Sequence, residues 1–457
     1  MADMAPQAPL SVAYREHLQT LQQRTESLLA THGFDALAIA SGIEKFAYLD
    51  DRPYVFQPNP HFVHWVPLTQ HPGSWLLVRP GTKPLLVYLQ PEDYWHAVPE
   101  APAGYWVDAF EIAVVRTPEA AEALLTQATQ GQRLAVIGEA DAALGALVPN
   151  NPQGLIDALH FARAYKSPYE LAQMRAASRI AVRGHRAAQA AFEAGASEAG
   201  IHAAYLQACG VAERQLPYGN IVGLGAHAAV LHWQHQDREA PAVPTSFLID
   251  AGAGFGGYAA DITRTYLHPQ AKGAARDDFA ALLAGMETLE LALVDQVRDG
   301  TDYVALHLDA HHRIAQLLLD TGLLRGLSAE AAVAQGVSRV FFPHGIGHLL
   351  GLQVHDVAGL AIDAQGTRRE RPSGHPYLRL TRPLAEGMVV TIEPGLYFIP
   401  LLLKELAAAP EAAHVDWARV EALKPYGGIR IEDDVACRAG GAAPENLTRD
   451  AFAGAHA

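Results

Sequence analysis

The stretch SFLIDAGAGFGGYAADITRTYL, residues 246–267, decides how the second half of the chain folds. Its apolar run 247–249 reads as a buried strand ending at Asp250, and residues 258–267 read as the return strand. Gly252, Gly254, Gly256 and Gly257 supply the permissive backbone that a tight reversal needs. Folding the hairpin about the midpoint of Phe255 and Gly256 pairs Asp250 with Asp261. Directly opposed residues share one face, with Cβ atoms roughly 4.5–5.5 Å apart. Two carboxylates that close repel each other, and one pKa rises. A multivalent cation between them removes the repulsion. An ordinary hairpin with solvated aspartates fits the same stretch, so the decision lies in the rest of the chain.

At 457 residues the length predicts two or more domains. The chain is 50% apolar and 18% charged, a globular composition. Its net charge of −15 argues against nucleic acid as a partner and suits an acidic metal site. Two cysteines, Cys209 and Cys437, give neither a disulfide framework nor a thiolate site. The opening MADMAPQAPLSV lacks a basic segment followed by an apolar one, and no apolar run is long enough to span a membrane. The expected address is the cytoplasm.

An amphipathic helix is expected from residue 10 to about 32, stopped by Gly33. Short apolar runs follow (FDALAIA, GSWLLV, KPLLVYL, YWVDAF, LAVIGE), interrupted by helical segments such as PEAAEALLTQATQ. This alternation predicts an α/β domain over residues 1–165, with no glycine-rich phosphate loop. Ser167, Pro168 and Glu170 form a capping box that opens a long helix over 168–193. Further helices are expected over 274–297 and 303–321. Strands are expected over 220–223, 228–231, 246–250, 258–267, 388–393, 428–432 and 435–437. Residues 166–457 therefore read as an α+β domain with a largely antiparallel sheet, and the loop 363–377 reads as exposed.

Three further segments carry polar groups where apolar ones would be ordinary. FFPHGIGHLLGLQVHD, residues 341–356, holds His344, His348 and His355. Gly345 and Gly347 disfavour a helix there, so this is not a helix-borne zinc pair. MVVTIEPGLYF, residues 388–398, buries Glu393 at the end of a β-branched strand, where a carboxylate seldom stays unpaired. GGIRIEDDVAC, residues 427–437, turns Ile429 and Ile431 one way and Arg430 and Glu432 the other. Each segment alone also fits a structural turn, a helix cap or an ordinary ion pair. Together, two Asp, two Glu and at least one His at strand ends or glycine turns indicate an oxygen-rich site. Such ligands suit Mn²⁺, Co²⁺, Fe²⁺ or Zn²⁺. Four carboxylates are balanced by two divalent ions, which favours a two-metal centre.

The ordered set Asp250, Asp261, His348, Glu393 and Glu432 resembles the ligand set of the dinuclear pita-bread metallopeptidases. The matching segments are LIDAGAGFGGYAADITRTY, PHGIGHLLGLQVHDV, TIEPGLYF and GIRIEDDV. Within that family the chain is most similar to the bacterial Xaa-Pro dipeptidases (prolidases), and it also looks like the organophosphorus acid anhydrolases. YLDDRPYVFQPNPHF and PEDYWH extend the match into the N-terminal half. The resemblance implies a creatinase-like N-terminal α/β domain, a pita-bread catalytic domain, a homodimer, and two divalent ions per subunit, Mn²⁺ first and Co²⁺ or Zn²⁺ as alternatives.

The same resemblance implies roles. Asp250 holds one metal, Asp261 and Glu432 bridge, and His348 and Glu393 complete the other shell. Glu393 moves protons, while His355 and His232 donate to the oxyanion. Arg379 takes the substrate's terminal carboxylate. His344, Tyr218, Arg430, Asp51 and Trp95 line the pocket, the last two from N-terminal segments and possible contributors across a dimer interface. The implied reaction is hydrolysis of Xaa-Pro dipeptides by a metal-bridging hydroxide, with side activity on organophosphate triesters and fluoridates. An Xaa-Pro aminopeptidase, or an inactive pita-bread peptide-binding module, is the competing reading. The segment 399–425 has no assigned role and reads as peripheral.

Overall fold

The structure is a computed structural model that describes residues 9–454. Most of the N-terminal stretch read for a leader, residues 1–8, lies outside the described residues. The chain forms two compact units. Among the described residues, one comprises 9–163 with 167–173 and 363–366, and the other comprises 164–166, 174–362 and 367–454.

The first unit is built on a five-stranded mixed sheet in the order Glu111–Val115, Leu85–Leu89, Trp75–Val78, Ala36–Ala40, Leu134–Ile137. Ala36–Ala40 is buried along its whole length, as a strand covered on both faces must be. Helix Leu10–His32 ends at Gly33 in the left-handed conformation (φ 75°), the stop expected from the sequence. Thr117 caps helix Pro118–Ala128 by accepting from Ala120 N, and that helix buries Ala121 and Leu125. The run YWVDAF is not a strand. Val107–Ala109 is a short 3₁₀ helix, and the strand begins at Glu111. Trp106 and Phe110, four residues apart, pack ring to ring at 6.1 Å, a turn-like spacing that alternation cannot produce. The capping box forms as read: Glu170 accepts from Ser167 N, and Ser167 Oγ accepts from Glu170 N.

The second unit holds three antiparallel sheets besides the short hairpin Gly254–Phe255 with Tyr258–Ala259. Thr263–Leu267, Ser246–Asp250 and Ile221–Leu224 form one; Val389–Ile392, Asp433–Ala436 and Glu445–Asn446 form another; Gly395–Tyr397 pairs with Gly428–Arg430. Bridges Thr263↔Glu432 and Leu349↔Val390 stitch these segments together. Helices Ala274–Val294 and Tyr303–Asp320 pack Phe279, Leu282, Met286, Leu306 and Ile314 against Val390, Ile392, Ile429 and Val435. The segment 399–425 is not peripheral. Its helices Pro400–Ala407 and Trp417–Leu423 place Leu403, Leu406, Val420 and Leu423 in this same core.

Two strand expectations are corrected. Residues 225–229 form a 3₁₀ turn, because Gly223 lacks the side chain that would keep the 227–228 backbone away and Gly225 takes φ 54°. The hairpin register also differs. Gly256 and Gly257 both take positive φ (59° and 89°) and make the two-residue turn themselves, so Phe255 faces Tyr258. Asp250 therefore faces Thr263 rather than Asp261. The return strand is split into Tyr258–Ala259 and Thr263–Leu267, and Asp261 lies in the break.

Candidate metal centre

The register places Asp261 diagonally from Asp250, two residues off the direct pair and on the same face. Asp261 N donates to the Asp434 carboxylate, at 3.3 and 3.2 Å from its two oxygens, instead of joining the ladder. Its Oδ1 accepts from Tyr218 Oη at 2.6 Å, and its Oδ2 stands 3.5 Å from His348 Nε2. Glu432 approaches from the next ladder, its N bonded to Thr263 O and its Oε2 accepting from Thr263 Oγ1 at 2.6 Å. One ligand atom from each of Asp261, His348 and Glu432 lies within 4.8 Å of the others, and all three side chains are buried.

His348 is oriented from behind. Its Nδ1 donates to Leu349 O, its backbone N donates to Thr391 Oγ1, and its Nε2 is left facing Asp261 and, at 3.7 Å, Glu393 Oε1. The turn that delivers it requires glycine. Gly347 has φ 153°, and a Cβ there would overlap the Thr391 carbonyl and the Tyr303 hydroxyl. Glu393 follows strand Val389–Ile392, its N bonded to Ile346 O. Asp250, at the end of its strand, receives Arg430 Nη2 on Oδ2 at 2.7 Å, while its buried Oδ1 has no hydrogen-bond partner.

Burial and crowding shift the pKa values of these acids. Burial pushes Asp250 upward, with Arg430 opposing and Asp261 adding to the rise. Burial also lifts Glu432 well above its ordinary range, reinforced by Asp261, Glu393 and Asp250. Glu393 is pushed up to about 7 by burial, although His348 and Arg430 pull it down. Asp261 alone is held below its ordinary value: burial raises it, but its interactions with His348 and Tyr218 outweigh that. Four carboxylates and one imidazole, with an unpaired buried oxygen and acids reluctant to ionise, form a donor set that fits hard or borderline divalent cations.

Residues 172–439 match metallopeptidase family M24, and residues 12–161 match the Xaa-Pro dipeptidase N-terminal domain. The chain belongs to family M24. A Xaa-Pro dipeptidase of Xanthomonas campestris pv. campestris (strain B100) is 54% identical over 98% of this chain and 99% of its own length. One from Stenotrophomonas maltophilia (strain K279a) is 52% identical over 97% and 98%. The M24 fold is shared with aminopeptidase P from E. coli, with a TM-score of 0.70 at 23% identity over 96% of this chain and 95% of that one.

The remaining residues expected at this M24 site are placed as follows. His344 Nε2 bonds Tyr397 Oη at 2.8 Å, and its Nδ1 bonds Gly345 O while standing 3.7 Å from Glu393 Oε2. Burial lowers His344 to about 3, so it is neutral. The His355 ring packs on His348 at 4.4 Å. Arg379 and His232 are exposed, and the charges of both bear on His355. Asp51 and Trp95 belong to the first unit and are exposed there, Trp95 at 77%. The site also uses groups that the sequence did not single out. Tyr397 Oη takes Arg430 Nη1 at 2.9 Å, and Thr263 and Asp434 hold Glu432 and Asp261. Glu198, buried, accepts from Leu224 N, His227 Nδ1, Trp233 Nε1 and Asp237 N and so organises the loop that carries His232. A buried glutamate on a helix reads as a core ion pair, and nothing in its spacing points to this loop. No helix among the described residues is long and apolar enough to cross a membrane.

Proposed function

We propose that the chain hydrolyses Xaa-Pro dipeptides at the carboxylate–histidine cluster. The observation that carries this reading is the convergence of Asp261, His348 and Glu432 beside Asp250 and Glu393, with Asp250 Oδ1 buried and unpaired. Asp250 would hold one cation, Asp261 and Glu432 would bridge, and His348 with Glu393 would complete the ligand set of the other cation. When bound, two divalent ions would supply a hydroxide nucleophile at neutral pH and polarise the scissile carbonyl. Manganese is the ion the family resemblance implies, and Co²⁺ or Zn²⁺ fit the same ligands.

The chain's own groups do the rest. Glu393 would take a proton from the attacking water and return it to the proline nitrogen. His355 and His232 donate to the developing oxyanion. Arg379 binds the substrate carboxylate and restricts the substrate to dipeptides. His344, Tyr218 and Arg430 shape the pocket. Residues 1–165 are read as the N-terminal domain and 166–457 as the catalytic domain. A homodimer would cover the aromatic surface of Tyr48, Tyr54, Tyr94 and Trp95, and would give Asp51 and Trp95 a substrate-side role. The buried free thiols of Cys209 and Cys437 suit a cytoplasmic address. A site shaped for a tetrahedral carbon also accepts tetrahedral phosphorus, so organophosphate triesters and fluoridates are proposed as side substrates.

The deciding experiment compares Gly-Pro with a Gly-Pro-Xaa tripeptide on metal-reconstituted protein. Cleavage of the dipeptide alone is expected. Preference for the tripeptide makes the chain an aminopeptidase, and no cleavage despite bound metal removes the reading. Absence of P–O or P–F cleavage above the metal-only blank removes the side activity.

A further inference from the structure

Helix Tyr303–Asp320 carries His307 and His311 four residues apart, so both rings leave one face. His375, in the loop before Arg379, closes on them. The ring centroids lie 4.8 Å apart for His307 and His311, and 4.7 Å for each of these with His375. His307 Nε2 and His375 Nδ1 are 2.8 Å apart, and one ring nitrogen from each of the three lies within 4.8 Å of the others.

His307 and His311 are 0% and 1% exposed. His311 Nδ1 is paired with Ser338 Oγ at 3.1 Å, which leaves its Nε2 buried with no hydrogen-bond partner. His307 Nδ1 is likewise buried and unpartnered. Buried polar nitrogens are ordinarily paired, and two orphans in one cluster call for a ligand. Burial holds all three imidazoles neutral, the state that offers a lone pair.

We propose that His307, His311 and His375 form a metal site separate from the carboxylate cluster, taking a borderline divalent ion such as Zn²⁺. Three imidazoles without a carboxylate favour Zn²⁺, Ni²⁺ or Cu²⁺ over Mn²⁺ or Mg²⁺, the opposite preference to the acidic centre. Ser338 supplies the outer contact that fixes the His311 ring. His375 is only half-buried, so the cluster reaches the surface on its side. Arg339, which bonds Gly374 O next to His375, adds a positive charge beside the cluster that bears on His311 and His375.

The test strips the full chain of metal, refills it with excess Mn²⁺, dialyses it against micromolar Zn²⁺ with Mn²⁺ still in excess, and counts both metals. Wild type is expected to hold one Zn²⁺ per chain with its Mn²⁺ undiminished. His311→Gln and His375→Ala are expected to weaken Zn²⁺ binding by about 100-fold or more and to keep their Mn²⁺. His375 sits in a half-exposed loop, so its variant remains informative if the buried His311 variant does not fold. Co²⁺ added in place of Zn²⁺ should give the strong visible absorption of a low-coordinate imidazole site in wild type and not in His375→Ala. Zn²⁺ that enters only by displacing Mn²⁺, or that His375→Ala retains as tightly as wild type, overturns the proposal.

Discussion

Arg430 donates from Nη2 to Asp250 Oδ2 across 2.7 Å, with Arg430 buried and Asp250 largely so. The same guanidinium bonds Tyr397 Oη at 2.9 Å and Thr263 Oγ1 at 3.2 Å, so it is fixed on three sides. It occupies one oxygen of Asp250 and leaves the other buried without a hydrogen-bond partner. Removing one partner of a buried ion pair costs about 3–5 kcal/mol. Arg430→Gln should lose stability of that order in denaturant titration of the metal-free protein, and less once metal is bound and takes over the neutralisation. Equal metal-free stability of variant and wild type would show that the pair carries no such weight.

Glu393 gives the metal-free protein a pH dependence of definite sign. Its folded-state value is raised from 4.5 to about 7, so between those values the unfolded chain releases a proton that the folded chain keeps. That contribution is fully present below pH 4.5 and is lost as pH rises through 7. Asp250 and Glu432, also raised, act in the same direction, and Asp261, lowered, acts against them. Melting of metal-free Glu393→Gln should therefore depend less on pH over this window than wild type. A variant that loses stability with pH as steeply as wild type would place the titration elsewhere.

Asp261 and Asp250 should separate in a metal count. Asp261 faces His348 and belongs to the tight group with Glu432, whereas Asp250 is held aside by Arg430. Asp261→Asn is expected to lower the occupancy of both ions, and Asp250→Asn that of chiefly one. Tyr218→Phe, which removes the 2.6 Å donor to Asp261, should weaken binding without abolishing it. Identical metal losses in the two aspartate variants contradict this division.

Glu198 should act on turnover from a distance. Its four hydrogen bonds, at 2.7–2.8 Å, hold the loop on which His232 rides. Glu198→Gln exchanges carboxylate oxygens for an amide that cannot accept all four. Displacing a catalytic group by about 1 Å can cost on the order of 100-fold. A roughly 10- to 100-fold loss of catalytic efficiency is expected on that basis, with metal content unchanged. Metal lost in proportion to activity would point to a general structural role instead.

Gly347→Ala should fail at the level of folding. The backbone there has φ 153°, and the added Cβ would meet two groups that already bond each other, Tyr303 Oη and Thr391 O at 2.8 Å. Overpacking and backbone strain together predict a loss of at least about 3 kcal/mol. Thermal melting of the purified variant checks this, and a melt within a degree or two of wild type would refute it.

Much of this was legible in the sequence because it rests on local chemistry. The stop at Gly33, the Ser167–Glu170 capping box and the strand ending at Asp250 all follow from propensity and spacing. The gathering of Asp261, His348 and Glu432 was legible because polar groups at strand ends demand partners. What escaped was set by tertiary contacts. Turn geometry at Gly256–Gly257 shifted the hairpin by two residues against a count made from the aspartates themselves. Tyr397, Asp434 and Glu198 look like ordinary strand and helix residues until a partner far along the chain meets them. The segment 399–425 has no alternating pattern to announce that its leucines close the core.

The break in the return strand at Asp261 has a consequence for which chain lengths evolution can sample here. Side chains along a strand alternate between faces, so an insertion or deletion of one residue between Asp250 and Asp261 would turn Asp261 away from His348 and strip its N–H from Asp434. The exposed turn Ala439–Gly441 can gain or lose residues without such a penalty. The eleven-residue step from Asp250 to Asp261 is therefore a fixed word length in the sequence, whereas the glycines that fill it are fixed only where the turn is made.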